Sequence, residues 1–233
     1  MRGCLSVIVL AIAFVGAVVW FGGPPLGSGL VTLALQGSGF SADQLDVRVT
    51  ADPPLELALG RADRVAIRAS GARWRGVRLA SLGVTLGTVD FLARTAVSAD
   101  GRLSGVELDT SGGQPVVADA EFEGSADAAA TTIRIAAATV ESAAIDAFET
   151  TFGVRPSSAG LVAPDTVRVV LDGLTLDSRL SIDAKGSIVA LAKGETIVLF
   201  TPSSALGLRL TSFAVTSSGL VLHGTLDVAA LIR

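Results

Sequence analysis

The chain offers few side chains that could do covalent chemistry. His223 is its single histidine and Cys4, before the first apolar run, its single cysteine, so zinc sites and Cys–His or Ser–His–Asp chemistry lose most of their support. His223 stands in "GLVLHGTLDV", where Leu220, Leu222, Gly224 and Leu226 share the other face. That alternation places it on the solvent side of a strand. No nucleotide-binding glycine loop and no Gly-x-Ser-x-Gly elbow occurs. Asp165, Asp172 and Asp177 could supply the two acids of a glycoside hydrolase. They flank turns in alternating runs, where acids ordinarily keep a face solvated. No catalytic residue, metal ligand or cofactor is assigned.

Binding chemistry is better represented. "RADRVAIRASGARWRGVR", Arg61 to Arg78, sets six arginines against one acid, Asp63, inside a chain of net charge −4. Guanidinium forks match phosphate oxygens, and a tryptophan suits a membrane interface. Arg68, Arg73, Arg75 and Arg78 around Trp74 are therefore candidates for a lipid headgroup or membrane surface. A merely solvated sheet face is the alternative. Nucleic acid is excluded as a partner, because that affinity needs many basic groups and this chain is acidic overall.

The elements that must position these residues are strands. Half the residues are apolar, yet only 5% are aromatic and tyrosine is absent. Twenty-six glycines accompany many Val, Thr and Ser. Such a composition favours β-structure broken by tight turns. Val65, Ile67 and Ala69 alternate with Arg64, Arg68 and Ser70, and Ala118, Ala120 and Phe122 alternate with Asp119, Glu121 and Glu123. Similar runs recur at Leu82/Val84/Leu86, Ile133/Ile135, Val167/Val169/Leu171, Leu180/Ile182/Ala184, Ile197/Leu199, Phe213/Val215 and Leu220/Leu222. Turns are expected at "ADG" (Ala99 to Gly101), "SGG" (Ser111 to Gly113), "DG" (Asp172-Gly173) and "SSG" (Ser217 to Gly219). Gly76 is expected to shift the alternation through a bulge, so that Val77 and Leu79 form the next apolar face. One segment departs from this rhythm. "TVESAAIDAFETTFG" spaces Ala144, Ile145, Phe148 and Phe152 as one helical face, with Thr139 to cap its start and Gly153 to end it. The fold class is α+β, predominantly antiparallel β, with this amphipathic helix docked on a curved sheet.

The N-terminus carries a different signal. After Arg2 no charge occurs until Asp43, and Cys4 to Phe21 is apolar apart from Ser6. Eighteen residues at about 1.5 Å each span roughly 27 Å, enough for the hydrocarbon core of a bilayer. Residues 1–22 are expected to be a signal-anchor in the cell membrane, with a cleaved signal peptide as the alternative. Residues 23–40 then form a linker and 41–233 an extracytoplasmic domain.

Two stretches resemble the LmeA-type phospholipid-binding family of bacterial envelope proteins. In Leu57 to Phe91 the matching positions are Gly60, Arg61, Asp63, Val65, Gly76, Val77, Leu79 and Leu82. In Phe200 to Val228 they are Gly207, Leu208, Arg209, Leu210, Thr211, Ser212, Val215, Gly219, Leu220 and Gly224. The family's charged helix after the anchor is not matched, because Leu26 to Gly39 is uncharged here. The resemblance implies a tubular, TULIP-like lipid-binding fold, a strongly curved sheet wrapped around the helix with an apolar interior for acyl chains. It also implies a role in envelope lipid homeostasis, and no enzyme activity. Val65, Ile67, Leu79, Phe122, Ile145, Phe148 and Phe152 are the expected acyl-groove residues. Expected partners are a phospholipid, preferably anionic, and the membrane; no protein partner is specified. A non-catalytic envelope scaffold with a solid core is the alternative, followed by the glycan hydrolase.

Overall fold

The computed structural model describes residues 28–29, 31–32, 35, 39–74, 77–110, 115–192, 194–201 and 207–228. The expected anchor, residues 1–22, lies outside the described residues, as do Arg75, Gly76 and the "SGG" turn. Among the described residues, no helix is long and apolar enough to cross a membrane.

Among the described residues, thirteen antiparallel strands dominate. They are β1 (Gln44–Thr50), β2 (Arg61–Trp74), β3 (Val77–Asp90), β4 (Thr95–Thr110), β5 (Val116–Ser125), β6 (Ala129–Ala136), β7 (Ser158–Val162), β8 (Thr166–Leu171), β9 (Leu174–Ile182), β10 (Ile188–Ala192), β11 (Glu195–Thr201), β12 (Leu208–Thr216) and β13 (Gly219–Leu226). Two helices interrupt them, α1 (Leu55–Ala58) and α2 (Ala137–Phe152). The sheet runs β12-β13-β6-β5-β4-β11-β10-β9-β8-β7, and β3, β2 and β1 branch from β4. The long β4 makes this branching possible: residues 95–104 pair with β3, and only Asp109 and Thr110 pair with β11. At the far ends of the path, Val215 N donates to the Pro164 carbonyl oxygen at 3.4 Å. The edge of β12 thus meets the β7–β8 turn.

The alternation read from sequence holds where it was clearest. Val65, Ile67 and Ala69 are buried, as are Ala118, Ala120 and Phe122. Asp172 and Gly173 both have positive φ in the β8–β9 turn, as a tight hairpin requires. Ala184 falls beyond β9, in a turn held by the Asp183 carboxylate, which accepts from Lys185 N and Ser187 N at 2.8 Å each.

One glycine expectation is corrected. "ADG" is not a turn, since Ala99 to Gly101 lie inside β4. Gly101 is there for clearance: a Cβ would stand 2.5 Å from Phe122 Cζ and 2.7 Å from the Gly83 carbonyl oxygen. The expected bulge at Gly76 lies outside the described residues; Trp74 pairs with Val77 at the end of the β2–β3 ladder. The inward set slips elsewhere. In β2 it passes from Ala69 to Ala72 across Gly71 (φ 58°), and in β4 from Leu103 to Val106 across Gly105 (φ 64°), where the pairing with β5 also shifts. In β3 it passes from Leu79 to Leu82. Each slip bends its strand while keeping the same sheet face inward.

α2 starts at Ala137 rather than Thr139, because Ala137 N still donates to the Ser218 carbonyl at the end of the β6–β13 ladder (3.1 Å). It ends at Gly153, in the left-handed region as expected. Its buried stripe is Val140, Ala143, Ala144, Ala147 and Phe148. Ile145 is only half-buried and Phe152 is 40% exposed, so the packing face is rotated from the one read in sequence. Three alanines let the helix approach the sheet closely, and it contacts β5, β6, β7, β8, β11 and β13.

The interior holds two apolar clusters along the strands. One surrounds α2; the other gathers Val49, Val65, Ile67, Leu86, Phe122 and Leu226. Phe40 is buried in the first, and Val31 packs against the second. The last part of the expected linker therefore belongs to the folded unit.

Candidate functional site

The pairing registers bring scattered residues into one line. Leu45 faces Ala69, Ala69 faces Leu82, and Leu82 faces Leu103. The line continues through Ala120, Ile133 and Leu222 to Phe213. It crosses eight strands on the inner face. Its leucines are distinctive, because Leu45, Leu82 and Leu103 are only half-buried and each packs partly against both clusters. Leu35 and Leu208 do the same. An apolar seam thus lies between the two cores, narrowed by leucines and widened by the small Ala69 and Ala120. At its β12 end, Phe213 lines an open cavity of about 610 Å³ with Leu180, Ile182, Leu191 and the ion-paired Asp165 and Arg179.

The expected groove residues are divided by this geometry. Val65, Ile67 and Phe122 are buried in one cluster, and Leu79 and Phe148 in the other. Ile145 is at the helix flank, and the Phe152 ring stacks obliquely on Phe148 with centroids 5.7 Å apart. The seam leucines were not anticipated as site residues. Only cross-strand register unites them, and no local pattern in the sequence reveals it.

The outer face carries the opposite chemistry. Residues Arg68, Gly83, Arg102, Glu121, Thr132 and His223 follow one another across β2 to β13. They line an open cavity of about 900 Å³. Glu121 accepts from both Arg102 and Arg134, the latter at 2.9 Å, and these cations hold its carboxyl below the usual range, the Arg134 hydrogen bond contributing most. Thr132 Oγ1 lies 3.3 Å from His223 Nδ1. Most of this polarity is satisfied internally.

The candidate headgroup residues do not converge. Arg68 stands in the outer cavity. Arg73 and Arg78 face each other at the β2–β3 hairpin, where Arg78 pairs with Glu107 at 3.6 Å. Trp74 is half-buried against the α2 cluster. Two of the three candidate acids are held in ion pairs. Asp177 takes a two-pronged pair from Arg168 at 2.7 and 2.9 Å, which lowers its pKa, and Asp165 pairs with Arg179 at 2.7 Å. Asp172 lies at the other end of β8 from Asp165, about 20 Å away at the strand rise. Among the described residues, no cluster of three or more His, Cys, Asp or Glu could hold a metal ion.

No curated protein and no solved structure matches the chain significantly. A family profile does, along nearly the whole sheet: residues 21–225 match it, the seam leucines included. The chain belongs to the LmeA-like phospholipid-binding family.

Proposed function

We propose that the protein holds a phospholipid with an acyl chain laid along the leucine seam between the two cores. The half-burial of Leu45, Leu82 and Leu103 in one cross-strand line carries this reading. Fully buried core residues already have partners, whereas these leucines still expose apolar surface inside the curve of the sheet. At about 4.8 Å between strands, Leu45 to Leu103 covers roughly 14 Å. One leaflet of a bilayer offers an acyl chain roughly 15 Å of hydrocarbon depth. The contacts of α2 with six strands, and the meeting of β12 with the β7–β8 turn, support a tubular form in which the sheet wraps the helix. The cavity at Phe213 is the route between the seam and solvent. Residues 1–22 anchor the protein in the cell membrane, and the domain works on its extracytoplasmic side in envelope lipid homeostasis. The outer arginines bias it toward anionic headgroups, Arg68 foremost, since it makes no ion pair among the described residues.

Native mass spectrometry of the purified full chain tests this. Co-purified phospholipid is expected, together with its loss in Leu82→Glu and Leu103→Glu. A charge that denies the chain two methylene contacts removes about 1.6 kcal/mol, more than tenfold in affinity. A lipid-free mass in every preparation, or the same lipid content in both variants, would overturn the assignment.

A further inference from the structure

The end of the sheet opposite the arginine hairpin carries an exposed apolar tip. Leu55, Leu59 and Leu92 are 57%, 60% and 81% exposed, and Pro53, Ala58 and Ala93 beside them are exposed as well. They lie on two adjoining turns. The first is α1 with its C-terminal cap, and the second is the β3–β4 turn. Phe91 N donates to the Gly60 carbonyl at 2.8 Å and ties the turns together. Gly60 (φ 77°) leaves room for Leu92, whose Cγ would lie 2.8 Å from a Cβ there.

This tip is built, not frayed. The Asp90 carboxylate accepts from Leu92 N at 2.9 Å and Ala93 N at 2.8 Å, so the turn has its amides satisfied while Leu92 points outward. Leu57 and Phe91 point the other way and pack on the second cluster. A turn of this kind ordinarily carries polar residues at its apex. Here three of the outward positions are leucines, Leu55, Leu59 and Leu92.

We propose that this tip is the surface that enters a phospholipid bilayer. Two turns with six apolar residues fall far short of the roughly 20–30 residues a side that a stable protein interface engages. They also lack the Trp and Tyr anchors that concentrate binding energy between proteins. A bilayer demands no complementary shape, and a convex wedge of leucines suits it. The charges on and behind the two turns nearly cancel, with Arg61, Arg64 and Arg94 set against Asp52, Glu56, Asp63 and Asp90. Arg61 is in addition paired with Asp90 at 3.8 Å. Insertion therefore rests on the leucines, and it is indifferent to salt and to lipid charge. It also directs the molecule: Arg61 and Arg73 are separated by twelve residues of β2, about 40 Å, so the arginine hairpin stands away from the membrane the tip enters. The inference deepens the phospholipid-binding assignment by naming the face that meets the lipid source, and its readout is insertion rather than lipid content.

The test uses the full chain with Cys4→Ser and one new cysteine carrying an environment-sensitive fluorophore, at Leu92→Cys, Leu59→Cys or Arg73→Cys. Each protein is reconstituted into phosphatidylcholine vesicles with and without brominated acyl chains. Quenching at 92 and 59 but not at 73, unchanged when salt is raised, is the expected result. Equal exposure of all three probes to water, or quenching at 73 alone, overturns the proposal even where lipid co-purifies. A signal at 92 that follows protein concentration and ignores the bromine also overturns it, and assigns the tip to a second copy of the chain.

Discussion

Gly101→Ala isolates why a glycine sits in the middle of β4. Its backbone does not require glycine, since Gly101 has no positive φ, and alanine would be accepted there on conformational grounds alone. The cost must come from space. The new methyl would stand 2.5 and 2.9 Å from two Phe122 ring carbons and 2.7 Å from the Gly83 carbonyl oxygen. Neither neighbour moves freely, because Phe122 is buried in the second cluster and Gly83 lies between β2 and β4 in the ladder. Overpacking of this kind costs about 1–3 kcal/mol. In a chain of this size that lowers the melting midpoint by roughly 2–12 °C.

A double-mutant cycle identifies the cause. Phe122→Leu removes the ring atoms and spares the Gly83 carbonyl. In the Gly101→Ala background it should therefore cost less than in the wild type, with a coupling of about 1 kcal/mol or more. Recovery should be incomplete, because the carbonyl remains. Thermal and urea unfolding of the four proteins measure it. An unchanged midpoint in Gly101→Ala, or strict additivity in the cycle, would refute the claim that Phe122 fills the space that Gly101 leaves. The outcome also bears on function, because a ring committed to covering Gly101 is not available to line a groove.

Ser178 is fully buried, and its hydroxyl has no hydrogen-bond partner among the described residues. Ser178→Ala should stabilise the fold by about 1 kcal/mol by deleting an unsatisfied polar group, and a lowered unfolding midpoint would contradict this. The pKa of Asp177 is depressed chiefly by the Arg168 hydrogen bond, and that of Glu121 chiefly by the Arg134 hydrogen bond with added charge from Arg102. A carboxylate with a depressed folded pKa contributes stability that is full above the unfolded value near 4 and fades as pH falls through the folded value. Both groups are solvent-exposed, so the acid loss is small. The sharper check is carbon-detected NMR titration, in which Arg168→Gln should move the Asp177 midpoint upward and leave Glu121 in place.

What the sequence reveals follows the range of the interactions involved. Alternation within a strand is local, so Val65/Ile67/Ala69 and Ala118/Ala120/Phe122 declare their inward face without knowledge of their neighbours. The Asp172-Gly173 turn and the Gly153 helix end are local as well, because each is a backbone requirement of one or two residues. The "ADG" segment reads as a turn by composition, but the reason for Gly101 is an aromatic ring and a carbonyl on two adjoining strands. The rotated face of α2 has the same origin. Ile145 and Phe152 fit a helical stripe, yet the sheet selects Val140 and three alanines because they allow the closest approach. The seam joins Leu45 to residues as far away as Leu222, so nothing short of the full register makes it visible.

The seam and the bending of the sheet have a common cause. In β2, β3 and β4 the inward set slips between Ala69 and Ala72, Leu79 and Leu82, and Leu103 and Val106. Ala69, Leu82 and Leu103 are three consecutive members of the seam. At each slip two successive residues leave the inner face, Ser70 with Gly71, Ala80 with Ser81, and Ser104 with Gly105. Inward side chains are three residues apart there rather than two, a spacing that recurs within the second cluster at Ala62/Val65, Leu86/Val89 and Ala96/Ala99. The glycines that let the strands curve, Gly71 and Gly105, also leave the wall between the two cores thin. A continuous alternation would have given a flatter sheet with one unbroken core, and its leucines would be buried. A protein that must keep apolar surface ready for a lipid without unfolding gains both properties from one device. The departures from strict alternation are thus as informative about the ligand as the alternation is about the fold.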